Sequence, residues 1–149
     1  MQGAQPGKMK GWQLDKVEEY KQNCSGLELD LVKRLEGLAE EFPHVAWLQG
    51  PVKVSTPMGF AFIVAGQWNA VAAYGPGTLE ANFDVAGSGA PPALNATAQQ
   101  YRSDITSLIK SGNPGQWNRL RLTTMAELEL LCSSVRRLLV AAHAKVNDG

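Results

Sequence analysis

The central part of the chain carries almost no charge, and no other feature constrains its fold as strongly. Between His44 and Gly87 only three of the 44 residues are charged, namely Lys53, Glu80 and Asp84. Within this segment the run 78–85 alternates strictly between apolar and polar residues, which is typical of a half-buried β-strand. The segment therefore predicts a β-sheet with few charged side chains on either face.

Glycine- and proline-containing turns divide the charge-poor segment into short strands. Its pattern predicts strands at 45–48, 52–55, 59–65, 68–74 and 78–85. A sixth strand is predicted at 117–123, after a helix. Parallel neighbours need a crossover of about a dozen residues or more, so the short connections between the first five strands predict an antiparallel meander.

Amphipathic helices precede and follow the predicted sheet. Apolar residues at a spacing of three to four predict helices at 12–23, 25–42, 95–112 and 124–142. Ser25–Glu28 and Thr124–Glu127 have the capping-box pattern that marks a helix start, and Pro43 ends the second helix. The predicted fold class is therefore α+β, with a mostly antiparallel five- to six-stranded sheet flanked by N-terminal and C-terminal helices.

The length and charge of the chain narrow the class of protein further. Its 149 residues fit one domain, so we predict a flexible arm at 1–10 and a single α+β domain at 11–149. Fourteen basic residues balance fourteen acidic ones, which argues against nucleic-acid or membrane binding. With no apolar signal sequence and no long apolar run, we expect a cytoplasmic protein with no membrane partner. We expect Cys24 and Cys132 to be reduced in that compartment.

The sequence contains no recognised catalytic or metal-binding motif. His44 and His143 lie far apart, and no zinc-protease, Cys-x-x-Cys, phosphate-loop or dinucleotide pattern occurs. Glu80 and Asp84, four residues apart on one strand, would be separated by about 13 Å, which is too far to share one metal ion. We therefore predict no catalytic residue, no metal site and no cofactor.

Two alternatives to a non-catalytic protein are kept open. One is a small enzyme that acts on a polar substrate through Glu80 or Asp84 together with Arg119 or Arg121. The other is a nucleic-acid accessory protein that uses Trp117, Arg119 and Arg121 for stacking and ion pairing. The neutral charge of the chain disfavours nucleic acid, and arginines that simply pair with the two carboxylates would account for the same residues.

The apolar strands indicate a binding surface. Period-two alternation places Phe60, Phe62 and Val64 on one face of the third predicted strand, opposite Ala61, Ile63 and Ala65. In the next strand it places Trp68, Ala70, Ala72 and Tyr74 on one face, opposite Asn69, Val71 and Ala73. A sheet face in contact with water should carry more polar residues. Helices on both sides, a second copy of the chain or a ligand would cover it, and the sequence leaves open which.

We accordingly predict a binding or interaction module of otherwise uncharacterised function. It should self-associate as a homodimer, and a small apolar ligand or another protein is a further candidate partner. The ligand pocket is predicted at Trp47, Phe62, Trp68 and Tyr74, and the dimer interface at Ile63 and Val71.

Overall fold

The computed structural model describes residues 7–8, 13–112 and 117–148. Its strands are β1 (Gly7–Lys8), β2 (Ala46–Gln49), β3 (Phe60–Val64), β4 (Trp68–Ala73), β5 (Glu80–Asn82), β6 (Ile109–Gly112) and β7 (Trp117–Leu120). They form one sheet in the order β1-β2-β3-β4-β5-β7-β6. Strands β2 to β7 pair antiparallel, and the two-residue strand β1 adds in parallel to β2. The predicted α+β class and mostly antiparallel meander are confirmed.

Helices stand before and after the meander, as predicted. They are α1 (Leu14–Asn23), α2 (Leu27–Glu41), the short α3 (Val85–Ser88), α4 (Asn95–Asp104) and α5 (Met125–Asp148), with 3-10 turns at Pro92–Leu94 and Thr106–Leu108. Residues 1–6 and 9–10 of the predicted arm, and Trp12 of the predicted first helix, lie outside the described residues. Gly7–Lys8 of that arm pairs with β2 instead.

The two capping-box patterns have different outcomes. At α5 the box forms, because the Thr124 N–H donates to Glu127 Oε1 at 3.1 Å and the Glu127 N–H donates to Thr124 Oγ1 at 3.1 Å. At α2 the prediction is wrong: no side chain caps the helix. The carboxylate of Glu28 instead accepts hydrogen bonds from the hydroxyl of Tyr20 at 2.9 Å and from the N–H of Gly77 at 3.0 Å.

Three predictions of local structure need correction. The strand predicted at 78–85 forms only at Glu80–Asn82, and Val85 already begins α3. The segment 52–55 is not a strand: Val52 and Val54 are 63% and 95% exposed in a loop. Conversely, the helix predicted to continue to Gly112 ends at Asp104, and the chain then forms β6. Ile105 and Leu108 are buried although they follow the end of the helix. Their three-residue spacing therefore continued the helical pattern past the point where the helix ends.

The four long helices cover one face of the sheet only. A single core joins α1, α2, α4 and α5 to the sheet residues Phe60, Phe62 and Val64. A separate small cluster of Ala61, Ile63 and Ala72, with Trp47 and Trp117 packed against it, lies on the opposite side. We call this opposite side the open face. The sequence left open whether helices cover one or both faces of the sheet, and the described long helices cover one.

A β-bulge in β4 changes which side chains reach the open face. Phe62 pairs with Val71 but Ile63 pairs with Asn69, so Ala70 has no partner in β3. One extra residue reverses the alternation of a strand. Trp68 and Val71 therefore both belong to the helix-side core, whereas simple alternation had grouped Trp68 with Tyr74 and Val71 with Asn69. That part of the sequence interpretation is wrong.

Candidate functional site

The open face contains a cavity of about 640 Å³, within the size range of small-molecule pockets. Large aromatic side chains stand around it, and small or aliphatic ones form its floor. The principal lining residues are Trp47, Tyr74, Trp117, Ala61, Ile63 and Asn69. The predicted pocket residues Trp47 and Tyr74 and the predicted interface residue Ile63 thus lie together at one site.

The strand register explains why there is a cavity here. In the pairing β2-β3-β4-β5, Gln49 lies opposite Ala61, Ala61 opposite Ala72, and Ala72 opposite Glu80. Paired residues project to the same side of a sheet, so this row of the open face carries only two methyl groups between Gln49 and Glu80. Trp47 on β2 and Trp117 on β7 lie at the two sides of the adjacent row, which carries Ile63 and Asn69.

The aromatic walls have defined positions. The rings of Tyr74 and Trp117 meet edge to face with centroids 6.3 Å apart, a favourable geometry for aromatic pairs. On the opposite wall, the indole N–H of Trp47 donates to Oε1 of Gln49, on the same strand, at 2.9 Å. This hydrogen bond fixes the orientation of the Trp47 ring. The ammonium of Lys53 lies 5.6 Å from the centre of the Tyr74 ring, within cation–π range.

The loop between β2 and β3 forms one rim of the cavity and is held by close backbone contacts. Lys16 of α1 donates through Nζ to the carbonyl oxygens of Pro51 and Lys53, at 3.2 and 3.1 Å. At Gly50 a Cβ atom would come within 2.2 Å of the carbonyl oxygen of Gln13. The loop therefore depends on glycine and on this lysine for its position against α1.

The electrostatics of the site are simple. Among the described residues that line the cavity, Lys53 alone carries a charge. Burial, and secondarily the negative charge of Glu80, raise the pKa of Tyr74. Arg119 lies on the same face but is paired with Glu80 at 3.8 Å.

The other predicted pocket and interface residues lie elsewhere. Phe62, Trp68 and Val71 are fully buried on the helix side of the sheet. The indole N–H of Trp68 donates to the carbonyl oxygen of Asn82 at 2.7 Å, and its ring meets Tyr101 of α4 edge to face. The four aromatic residues predicted as one pocket are divided between two faces. Trp47 pairs with Ile63, so its neighbour Phe62 faces the helices, and the bulge at Ala70 separates Trp68 from Tyr74.

Trp117 is the one aromatic residue among the described lining residues that lies outside the predicted pocket. The sequence associates it only with Arg119 and Arg121, as a nucleic-acid contact. The alternation of β7 contained the missing signal, since Leu120 is buried in the core while Trp117 and Arg119, at odd positions, face the other way. What the sequence could not provide was the neighbour: Trp117 pairs with Asn82 of β5, which brings it to the cavity.

The carboxylates considered for catalysis are engaged in local contacts. Glu80 pairs with Arg119, which agrees with the interpretation that the arginines of this strand pair with the two carboxylates. Asp84 Oδ1 accepts a hydrogen bond from the N–H of Gly87 at 2.8 Å and so caps the N-terminus of the short helix α3. Across the described part of the chain, no group of three or more His, Cys, Asp or Glu side chains is arranged to hold a metal ion.

Comparison of the chain with protein-family models, curated protein sequences and solved structures finds no match. None of the helices in the described ranges has the length and apolarity needed to cross a membrane. We therefore infer function from the geometry of the open face itself.

Proposed function

We propose that this chain is a non-catalytic binding module whose ligand occupies the cavity on the open face. One observation carries the proposal: Trp47, Tyr74 and Trp117 surround a floor of alanine on the sheet face that the long helices leave uncovered. Exposing large aromatic side chains to water is unfavourable in free energy, and uncovered apolar patches of this kind mark interaction sites.

The polar groups at the site also support a binding role. Ligand pockets combine an apolar lining with a few polar groups that orient the ligand. Here Gln67, Asn69 and Ser88 stand among the aromatic and aliphatic lining residues. The carboxylates Glu80 and Asp84 are instead engaged with Arg119 and the Gly87 N–H, which favours binding over catalysis.

A filled cavity tests the proposal. Ala61 is 5% exposed at the floor, so the Ala61→Phe side chain would occupy the space between the aromatic walls. The matched control is Ala126→Phe, at an exposed position of α5. With the apolar dye anilinonaphthalene sulfonate as probe, we expect Ala61→Phe to weaken binding at least tenfold and Ala126→Phe to bind like the parent. Equal dye binding by both variants would place the apolar site elsewhere.

Self-association through the open face is a second candidate, consistent with the predicted homodimer. It is favoured by Val52 and Val54, which are strongly exposed on the loop that forms the rim of the cavity, next to Ile63 on the floor. Light scattering at tens of micromolar should then give twice the chain mass of 16.1 kDa, and Val54→Asp should restore the mass of one chain. A parent protein of single-chain mass rejects this candidate.

The cytoplasm is the location that we propose. Cys24 and Cys132 are both free and buried, which is the usual state of cysteine in a reducing compartment. Neither side chain is bridged, and neither contributes to the cavity.

A further inference from the structure

We propose that the ligand of the open-face cavity is a proline-rich peptide in the polyproline II conformation. The inference rests on the proposed function and names the ligand class of the same site. Three properties of the cavity support it: two aromatic side chains whose donors have no protein acceptor, its width across the sheet, and its near absence of charge.

The cavity offers donors without matching acids. In the described structure the indole N–H of Trp117 and the hydroxyl of Tyr74 have no protein acceptor, and Lys53 adds an ammonium group. No carboxylate is among the described lining residues. A proline residue has a carbonyl oxygen but no N–H. A proline-rich chain is therefore rich in acceptors and poor in donors, which complements this lining.

The remaining aromatic wall is prepared for packing rather than for hydrogen bonding. The N–H of Trp47 is already bound by Gln49 Oε1, so this residue presents its ring. Aromatic-lined grooves recognise proline-rich segments in several unrelated folds, because the polyproline II helix is preformed and loses little entropy on binding. Trp47 would contact pyrrolidine rings, while Trp117 and Tyr74 would each contact a ring and donate to a carbonyl oxygen.

The width of the site suits an extended peptide. Trp47 and Trp117 lie on strands that are four strand spacings apart in the sheet, or about 19 Å at about 4.8 Å per spacing. Polyproline II rises by about 3.1 Å per residue, so about six residues span the distance between the two strands. The row of residues that starts at Trp47 carries Ile63 and Asn69, and the neighbouring row carries the small side chains of Ala61 and Ala72.

The charge of the site disfavours the other extended ligands. Single-stranded nucleic acid needs several cations along its phosphates, whereas Lys53 is the single charged residue among the described lining residues and Arg119 is paired with Glu80. Sugar hydroxyls donate as well as accept, and here the side-chain acceptors are the oxygens of Gln67, Asn69 and Ser88 rather than carboxylates. A proline-rich peptide needs only the donors, which Trp117 and Tyr74 supply.

Fluorescence anisotropy with labelled decaproline tests the inference. We expect decaproline to bind at least tenfold more tightly than a labelled glycine-serine decapeptide. Trp117→Phe and Tyr74→Phe, which keep a ring but lose a donor, should each weaken binding at least threefold. Val140→Ala, at an exposed position of α5, should leave binding unchanged.

The outcomes separate the ligand class from the proposed function. If decaproline fails to bind, or binds no better than the glycine-serine peptide, while Ala61→Phe still blocks the dye, then the site exists and the peptide inference is wrong. Tighter binding of decathymidylate or cellohexaose than of decaproline overturns it as well. If the dye is indifferent to Ala61→Phe and decaproline does not bind, both the inference and the binding function fail.

Discussion

Trp68→Phe and Trp117→Phe are one substitution made on the two faces of the same sheet, and the structure predicts opposite consequences for them. Trp68 is fully buried and its indole N–H binds the carbonyl oxygen of Asn82 at 2.7 Å. Trp117 is half-buried at the cavity, where its N–H meets no protein acceptor in the described structure. The first variant should therefore lose stability, and the second should lose binding.

The magnitude for Trp68→Phe has two parts. Two ring carbons leave the core at about 0.8 kcal/mol each, or about 1.6 kcal/mol. The carbonyl oxygen of Asn82 also loses its donor, and an unpaired buried polar group costs roughly 1–3 kcal/mol. The free energy of unfolding should fall by about 2.6–4.6 kcal/mol. In a domain of this size that lowers the melting temperature by roughly 5–18 °C.

Thermal unfolding followed by circular dichroism, with dye binding measured on the same samples, provides the assay. For Trp117→Phe we expect a loss of no more than about 1 kcal/mol, because no internal hydrogen bond is broken, together with weaker ligand binding. Trp68→Phe should bind as the parent does below its melting temperature. The reverse pattern, a stable Trp68→Phe with impaired binding, would mean that Trp68 faces the cavity and that the bulge at Ala70 is absent.

Further predictions concern the core and the cysteines. Leu131 is fully buried on α5, so Leu131→Ala should lower the free energy of unfolding by about 2–5 kcal/mol. Val140 is exposed on the same helix, so Val140→Ala should lower it by no more than about 0.5 kcal/mol. Similar denaturant midpoints for the two variants would show that the buried face of α5 is assigned wrongly. Glu28→Ala should destabilise the fold by about 1–3 kcal/mol in denaturant titration, because the buried hydroxyl of Tyr20 loses its acceptor; Glu28→Gln should recover part of this, and no difference between them would show the contact to be weak. Burial raises the pKa of both cysteine thiols, so a disulfide reagent should react slowly with the native protein and count two thiols after denaturation; a lower count restored by reductant would reveal a disulfide.

Sequence periodicity was enough for the elements whose structure is set locally. The alternation around Ala81 correctly predicted a half-buried strand, and the spacing around Leu131 correctly predicted a helix with one buried face. The box at Thr124 formed because its two partners are three residues apart, and the neighbouring Thr123 binds the same carboxylate oxygen of Glu127. The box at Ser25 did not form because Glu28 finds Tyr20 and Gly77, which only the folded chain brings near.

The lining of the cavity follows only in part from the sequence, because it depends on contacts between distant strands. Trp47 and Tyr74, predicted for a ligand pocket, and Ile63, predicted for a dimer interface, all line the cavity. Trp68, predicted for the same pocket, does not, because a bulge has no signature in a run of small apolar residues such as the one around Ala70. The valines of the loop show the converse: alternation at Val52 and Val54 resembled a strand, yet that segment has no neighbour to pair with in the described sheet.

The bulge in β4 also determines how this protein tolerates changes in length. With Ala70 present as the extra residue, the indole of Trp68 faces the helices and the amide of Asn69 faces the cavity. Deleting Ala70 would leave a regular strand in which Val71 still lies opposite Phe62 and Asn69 still lies opposite Ile63. Both faces of the sheet would therefore keep their side chains. Natural variation in this strand should accordingly tolerate the loss of one residue at the bulge.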